Sequence, residues 1–194
     1  MLLEEAISSI ETEAVEVTTT VGKAFHGLQT KHQFCGVGIG SEGLPFLVLF
    51  NQMEPDAPKG SLQIEQVGDD HGPRSWHVDR TDLPHNIAQM KVLLFISTCR
   101  TGGSVCKAVE VLRESGVDER NISIVMLWCA AEGLVAICNR FPGASFTFVE
   151  MLWREPEQHV GGTDLKVVTA AIDNKTDQHG PEGLGDFVLR YNGR

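Results

Sequence analysis

Residues 91–128 read KVLLFISTCRTGGSVCKAVEVLRESGVDERNISIVMLW, and their pattern decides the fold. Lys91–Ile96 is a continuous apolar run of strand length, as expected of a strand buried on both faces. Thr101-Gly102-Gly103-Ser104 follows, after which Val105, Ala108, Val109 and Leu112 recur at helical spacing. Gly116 stands where a helix C-cap belongs, and Ile122–Trp128 is a second strand of the buried kind. Strands that are apolar throughout and alternate with helices build a parallel sheet covered on both faces.

The same alternation continues outward. Ala130–Phe141 reads as a helix stopped by Pro142, and Lys166–Ile172 (KVVTAAI) as a third buried strand. Upstream, Leu2–Ile10 predicts a short helix and Glu13–Val21 a β-branched strand, with Gly22 turning the chain into Ala24–Gln29. Cys35–Ile39 is a short apolar run ending in Gly40, Ser41 and Gly43, and Leu62–Val67 predicts another strand before the polar stretch Gly68–Arg74. The 194 residues suit one α/β domain, 1–194, with a central, mostly parallel sheet flanked by helices. Ligands of such sheets bind beyond the carboxyl ends of the strands. The loops at 97–104 and 173–186 are therefore the expected ground for function.

Composition narrows the partners. The net charge is −10 and lysine and arginine are scattered, which argues against a nucleic-acid partner. No apolar run approaches the roughly 20 residues that span a bilayer, so no membrane association is expected. The N-terminal MLLEEAISSIETEAVEV is acidic and lacks the basic region and apolar core of a signal peptide, so a cytoplasmic location is expected. The five cysteines (Cys35, Cys99, Cys106, Cys129 and Cys138) form no CxxC pair, which predicts free thiols and no metal centre. Cys106, Cys129 and Cys138 read as core residues. Cys99, just before the glycine turn, reads either as a thiol activated by the helix start or as an inert one.

A buried strand, TGGS and then a helix is an arrangement that binds phosphate. The glycines let the backbone approach an anion, and the amides of the first helical turn point at it with the helix dipole behind them. Thr101 and Ser104 would add hydroxyl donors, and Arg100 a cation. The competing reading is a glycine-rich strand–helix turn capped by Ser104. Neither a P-loop GK[ST] nor a GxGxxG fingerprint is present.

At this point the chain resembles the uracil phosphoribosyltransferases. KVLLFISTCRTGGSVCKAVEVLRESGVDERNI is similar to the segment of that family that binds the 5′-phosphate of phosphoribosyl pyrophosphate. CGVGIGSEGL resembles its pyrophosphate loop, LPHNI the stretch before its central strand, and CAAEG its APEG stretch. TAAID…QHG…GLGDF…RYNG resembles the C-terminal run that reads uracil, which assigns Gly183, Leu184, Gly185 and Asp186 to base or ligand binding. The resemblance implies the type I phosphoribosyltransferase fold, an ancestral pentosyltransferase activity and a dimer. It implies magnesium only if that activity survives; otherwise no cofactor is expected. Against typical members the chain begins late, without an N-terminal extension.

The departures from the family pattern cluster where the chemistry would be. The aspartate that ends the family's central strand and holds the ribose hydroxyls is replaced by Ile96, followed by Ser97. Isoleucine accepts no hydrogen bond from a diol; the bland alternative is drift in a working enzyme. The Arg-Ala-Gly of the pyrophosphate loop is Ser41-Glu42-Gly43, and a further phosphate-facing arginine aligns with Asp69, beside Asp70. Two cations are lost and two carboxylates gained, and one like-charge contact at ~4 Å costs about 4 kcal/mol at an effective dielectric of about 20. Between His179-Gly180 and Gly183-Leu184-Gly185-Asp186 the hood is shorter than in the family and its aromatic is gone, and a later acidic residue is Leu189. Gly143–Leu165, in contrast, is longer and carries Phe146, Phe148 and Trp153. It reads either as an added edge strand or dimer contact, or as a wall over an altered pocket.

These changes leave Glu42, Asp69, His71 and Asp186 as the candidates for proton transfer, with Arg100, Thr101, Gly102, Gly103 and Ser104 as the anion turn. For His71 the competing reading is a solvated loop histidine. Three functions follow. The first is a degraded transferase site repurposed to another small-molecule reaction, an isomerisation, cyclisation or elimination. The second is a non-catalytic member that binds a ligand, or a related enzyme in a mixed oligomer. The third is a working uracil phosphoribosyltransferase that makes UMP. A small-molecule ligand and a homodimer are expected of the first.

Overall fold

The central strand, β6 (Lys91–Cys99), is buried along almost its whole length because apolar side chains occupy both of its faces. The structure is a computed structural model that describes residues 2–68, 75–142, 144–148 and 165–173. Around β6 lie β3 (Phe34–Ile39), β4 (Lys59–Val67), β5 (Ser75–Asp82), β7 (Ile122–Ala130), β8 (Ala144–Phe148) and β9 (Leu165–Asp173). They form a seven-stranded sheet in the order β5-β4-β3-β6-β7-β9-β8. Every neighbouring pair is parallel except β4–β5, so the expected mostly parallel sheet is present.

The alternation of side chains along β6 builds two cores. Val92, Leu94 and Ile96 meet α3 (Gly103–Glu114) and α4 (Ala131–Arg140) through Val105, Ala108, Val109, Leu112 and Ile137. Leu93 and Phe95 meet α1 (Leu2–Ser8) and α2 (Leu44–Met53) through Leu3, Ala6, Phe46 and Phe50 on the other face. Phe46 stacks on Phe95 with centroids 5.8 Å apart. The helices α3 and α4 lie side by side and are bridged by Arg140 and Glu110.

The two central strands outrun the apolar runs that predicted them. Ser97 and Thr98 look like the end of β6, yet the ladder continues through Thr98↔Trp128 and Cys99↔Cys129. Likewise β7 runs on to Ala130, opposite Asp173 of β9. The polar pair is tolerated because its hydroxyls are satisfied from another loop, as described below. The alternation reading also passes over α2 and β5. LPFLVLFNQM is apolar nearly all round and shows no clean 3.6-residue stripe, and β5 is a polar edge strand with only Trp76 and Val78 turned inward.

Thr12–Thr18 (β1) and Ala24–Thr30 (β2) form a separate antiparallel hairpin whose residues are exposed or half-buried, with Val17, Phe25 and Leu28 among the exposed ones. Within the longer 143–165 segment, β8 lies at the sheet edge and pairs with β9, in line with the edge-strand reading. Residues 143 and 149–164 of that segment lie outside the described residues.

Candidate functional site

The carboxyl ends of β3 and β6 are tied together by Glu42. Gly43 closes on the backbone of Ile39 and Phe95, which draws the loop after β3 against β6. The Ser97 hydroxyl, fully buried, donates to the Glu42 carbonyl at 2.5 Å. The Glu42 carboxylate turns back through Oε2, accepting the Thr98 amide at 3.0 Å and the Thr98 hydroxyl at 2.7 Å. A residue expected to move protons is thus held as an acceptor for two donors on the central strand. Ile96, 4% exposed, packs into the main core directly below this point.

The glycine turn expected to bind an anion follows directly on β6. Arg100 and Thr101 are exposed, Gly102 is buried, and Gly103 and Ser104 are half-buried. Gly102 adopts a left-handed φ of 75° and is the N-cap of α3, with no side chain capping the helix. The capping role considered for Ser104 is therefore overturned: the cap falls two residues earlier, at Gly102, because glycine takes the left-handed cap conformation easily, and Ser104 sits inside the first turn. The Cys106 amide closes that turn on the Gly102 carbonyl at 2.8 Å.

Helix α4 buttresses the turn from behind. A β-carbon on Gly133 would stand 2.5 Å from the Arg100 carbonyl oxygen, and one on Gly102 would stand 2.7 Å from the Gly133 carbonyl. Two glycines thus allow backbone to meet backbone. From the other side comes Trp76. A β-carbon on Gly103 would fall upon the indole Nε1, so the ring rests against the Gly103 backbone.

Cys99 lies in the wall of the turn and is 2% exposed. Its hydrogen bond with Cys129 and its burial push the thiol well above its ordinary range, the charges of Cys129 and Glu42 add to this, and the Gly102 amide opposes it. The activated-thiol reading is therefore wrong: the helix start lends one amide, which burial and the neighbouring groups outweigh.

The structure brings together Glu42, Arg100, Thr101, Gly102, Gly103 and Ser104 at the carboxyl ends of β3 and β6. Asp69, His71, Gly183, Leu184, Gly185 and Asp186 lie outside the described residues. Four contributors escaped the sequence reading: Thr98, Trp76, Gly133 and Trp128. Trp128 sits between Thr98 and Ala171 in register, is 1% exposed, and its indole N–H has no hydrogen-bond partner among the described residues. Only Gly133 left a trace, as the glycine of CAAEG. Among the described residues, no three His, Cys, Asp or Glu side chains converge as a metal site would require. Ile96 supplies no acceptor for the ribose hydroxyls that the family's aspartate would hold.

A mostly parallel sheet flanked by helices, with a glycine turn after its central strand, is the type I phosphoribosyltransferase architecture. The uracil phosphoribosyltransferase family model matches residues 1–152, and the chain belongs to that family. A uracil phosphoribosyltransferase of Dictyostelium discoideum is 28% identical over 195 aligned positions, covering 100% of this chain and 79% of the relative. Uracil phosphoribosyltransferase 1 of Schizosaccharomyces pombe is 26% identical, covering 100% and 78%. The chloroplastic uridine/cytidine kinase UKL1 of Arabidopsis thaliana is 27% identical, and there the chain spans 35% of the relative. Among solved structures, the AQ2163 protein of Aquifex aeolicus superposes with a TM-score of 0.73 at 23% identity, covering 98% of this chain and 79% of that one. The family is one of phosphoribosyl-transferring enzymes. Among the described residues, no helix is long and apolar enough to cross a membrane.

Proposed function

We propose that this chain is a divergent member of the family whose phosphoribosyl pyrophosphate and uracil sites are degraded, and that its cleft now serves another small-molecule reaction of the acid–base type. The observation that carries the reading is Glu42. Where the family's pyrophosphate loop has Arg-Ala-Gly, this chain places a carboxylate, fastened to Thr98 by two hydrogen bonds. A carboxylate here repels the polyanion that the family's loop attracts, and Ile96 leaves the ribose hydroxyls without an acceptor. Both changes act at the carboxyl end of the central strand, so their effects on substrate binding reinforce each other.

The substrate class that fits is a neutral or weakly acidic organic molecule, with Glu42, Asp69, His71 and Asp186 as the candidate proton-transfer groups. Gly183, Leu184, Gly185 and Asp186 are the proposed ligand-reading run. The second reading, a non-catalytic member that binds a ligand or a related enzyme, is favoured by one observation: the Glu42 carboxylate is already engaged as a structural acceptor. No cofactor is required by either reading. For the assembly, a cytoplasmic homodimer is proposed. Its support is the apolar surface left exposed on the β1–β2 hairpin and on the outer side of α2.

Calorimetric titration with phosphoribosyl pyrophosphate and Mg²⁺, with and without uracil, tests the reading. No heat of binding is expected up to millimolar ligand. Micromolar binding, or release of pyrophosphate on adding uracil, would restore the ancestral transferase.

A further inference from the structure

The contact between Trp76 and Gly103 follows from the shape of the sheet edge. β4 and β5 form an antiparallel ribbon whose register shifts between Gln63 and Ile64, an irregularity that increases twist and bends the ribbon. Ile64 and Val78, cross-strand partners, pack on the core that contains Val105, Ala108 and Val109 of α3. Side chains two residues apart on a strand share a face. Trp76 therefore projects on the same side as Val78, one step nearer the start of α3, and meets its first residue.

That first residue is the heart of the anion turn. The amides of Gly103, Ser104 and Val105 are donors that a helix cannot satisfy internally. The half-buried indole stands against Gly103, the first of these three residues, on the side where a β-carbon would project.

We infer that Trp76 is an occluding residue that decides what the 101–104 turn accepts, and that it keeps tetrahedral phosphate-class anions from the α3 amides while the ring rests on Gly103. The inference rests on the reading of 101–104 as an anion turn, and not on the reaction assigned to the cleft. Gly103 has a matching purpose, since any β-carbon there would expel the ring.

The test is binding of inorganic phosphate to the full chain, followed by calorimetry and by ³¹P line broadening, in wild type, Trp76→Ala, Trp76→Phe and Gly103→Ala. Trp76→Ala is expected to bind phosphate at least about tenfold more tightly than wild type, the equivalent of about 1.4 kcal/mol. Gly103→Ala, which moves the ring and keeps the amide, is expected to behave alike. Trp76→Phe keeps a ring in place and is expected to stay near wild type. Equal binding by wild type and Trp76→Ala would overturn the occlusion and leave the anion turn standing. Weaker binding by Trp76→Ala would make the indole a ligand-holding group, and absence of binding in every variant would remove the anion turn itself. Thermal unfolding of each variant shows that the fold survives, as expected for a side chain at the exposed sheet edge.

Discussion

Glu42 and Thr98, 56 positions apart in the chain, are joined twice: one carboxylate oxygen accepts both the Thr98 amide and the Thr98 hydroxyl. With Ser97 donating to the Glu42 carbonyl, the loop after β3 is laced to the end of β6. The lacing explains how a strand can carry two consecutive hydroxyl residues at its buried end. Hydrogen bonds to charged groups contribute about 1.5–3 kcal/mol, so this pair outweighs the modest strand preferences around it.

Removing one partner tests that account. Thr98→Val deletes the hydroxyl donor and keeps the branched shape, and leaves the amide bond to Glu42 intact. We expect a loss of about 1–2 kcal/mol, or a fall in Tm of roughly 2–8 °C for a domain of this size. Glu42→Gln keeps an acceptor oxygen and should lose less. Differential scanning calorimetry of both variants decides it; an unchanged Tm for Thr98→Val would mean that the contact does not hold the loop.

Gly133→Ala sets two effects against each other. Alanine in a helix gains up to about 1 kcal/mol over glycine. The new β-carbon would stand 2.5 Å from the Arg100 carbonyl and 3.0 Å from the Cys99 sulfur, and the nearest atom belongs to backbone. Overpacking of that kind costs about 1–3 kcal/mol, so the net change is destabilising. The denaturation midpoint should fall. A rise would show that α4 shifts freely and does not buttress the turn.

How far the sequence could be read depends on the range of the interactions involved. KVLLFI, the helical spacing of Val105, Ala108 and Leu112, and the TGGS turn are local patterns, and each appears in the structure where the spacing places it. The extension of β6 through Ser97 and Thr98 was not legible, because the group that satisfies those hydroxyls lies on another loop. Trp76 was illegible for a related reason: β5 has the polar composition of an edge strand, and only its register with β4 turns the indole over α3. For α2, apolar residues on all sides hid the period, and the exposed Leu44, Val48, Leu49 and Met53 are what burial of one face leaves over.

The thiols make stability depend on alkaline pH. Burial pushes Cys35 up to about 12 and Cys106 to about 11, and the bond to Cys129 together with burial raises Cys99 well above its ordinary range. In the unfolded chain these thiols titrate near about 8.5. Above that value the unfolded state sheds protons that the folded state keeps, so the stability contributed below it is lost as pH rises toward the folded values. Each such group gives a slope of about 1.4 kcal/mol per pH unit in the window. Urea midpoints measured from pH 7 to pH 10 should be level at first and fall beyond about 8.5. Burial alone predicts that iodoacetamide at neutral pH leaves Cys35, Cys99 and Cys129 unmodified in the folded protein.

The proposed homodimer can be tested through the surface that supports it. An isolated two-stranded hairpin is marginal in water, yet β1–β2 exposes Val17, Phe25 and Leu28, the last at 75%. On α2, Leu44, Val48, Leu49 and Met53 are likewise turned to solvent. Leu28→Glu and Leu49→Glu each place a charge on one of these two surfaces without touching the core. If either surface forms the dimer contact, sedimentation velocity should show its variant weakened at least about tenfold in association, since a charge buried at an interface must be desolvated without a partner. Comparing the two variants identifies which surface is used. A dimer unchanged by both substitutions would assign the interface to neither, and a monomeric wild type at tens of micromolar would remove the homodimer from the proposal.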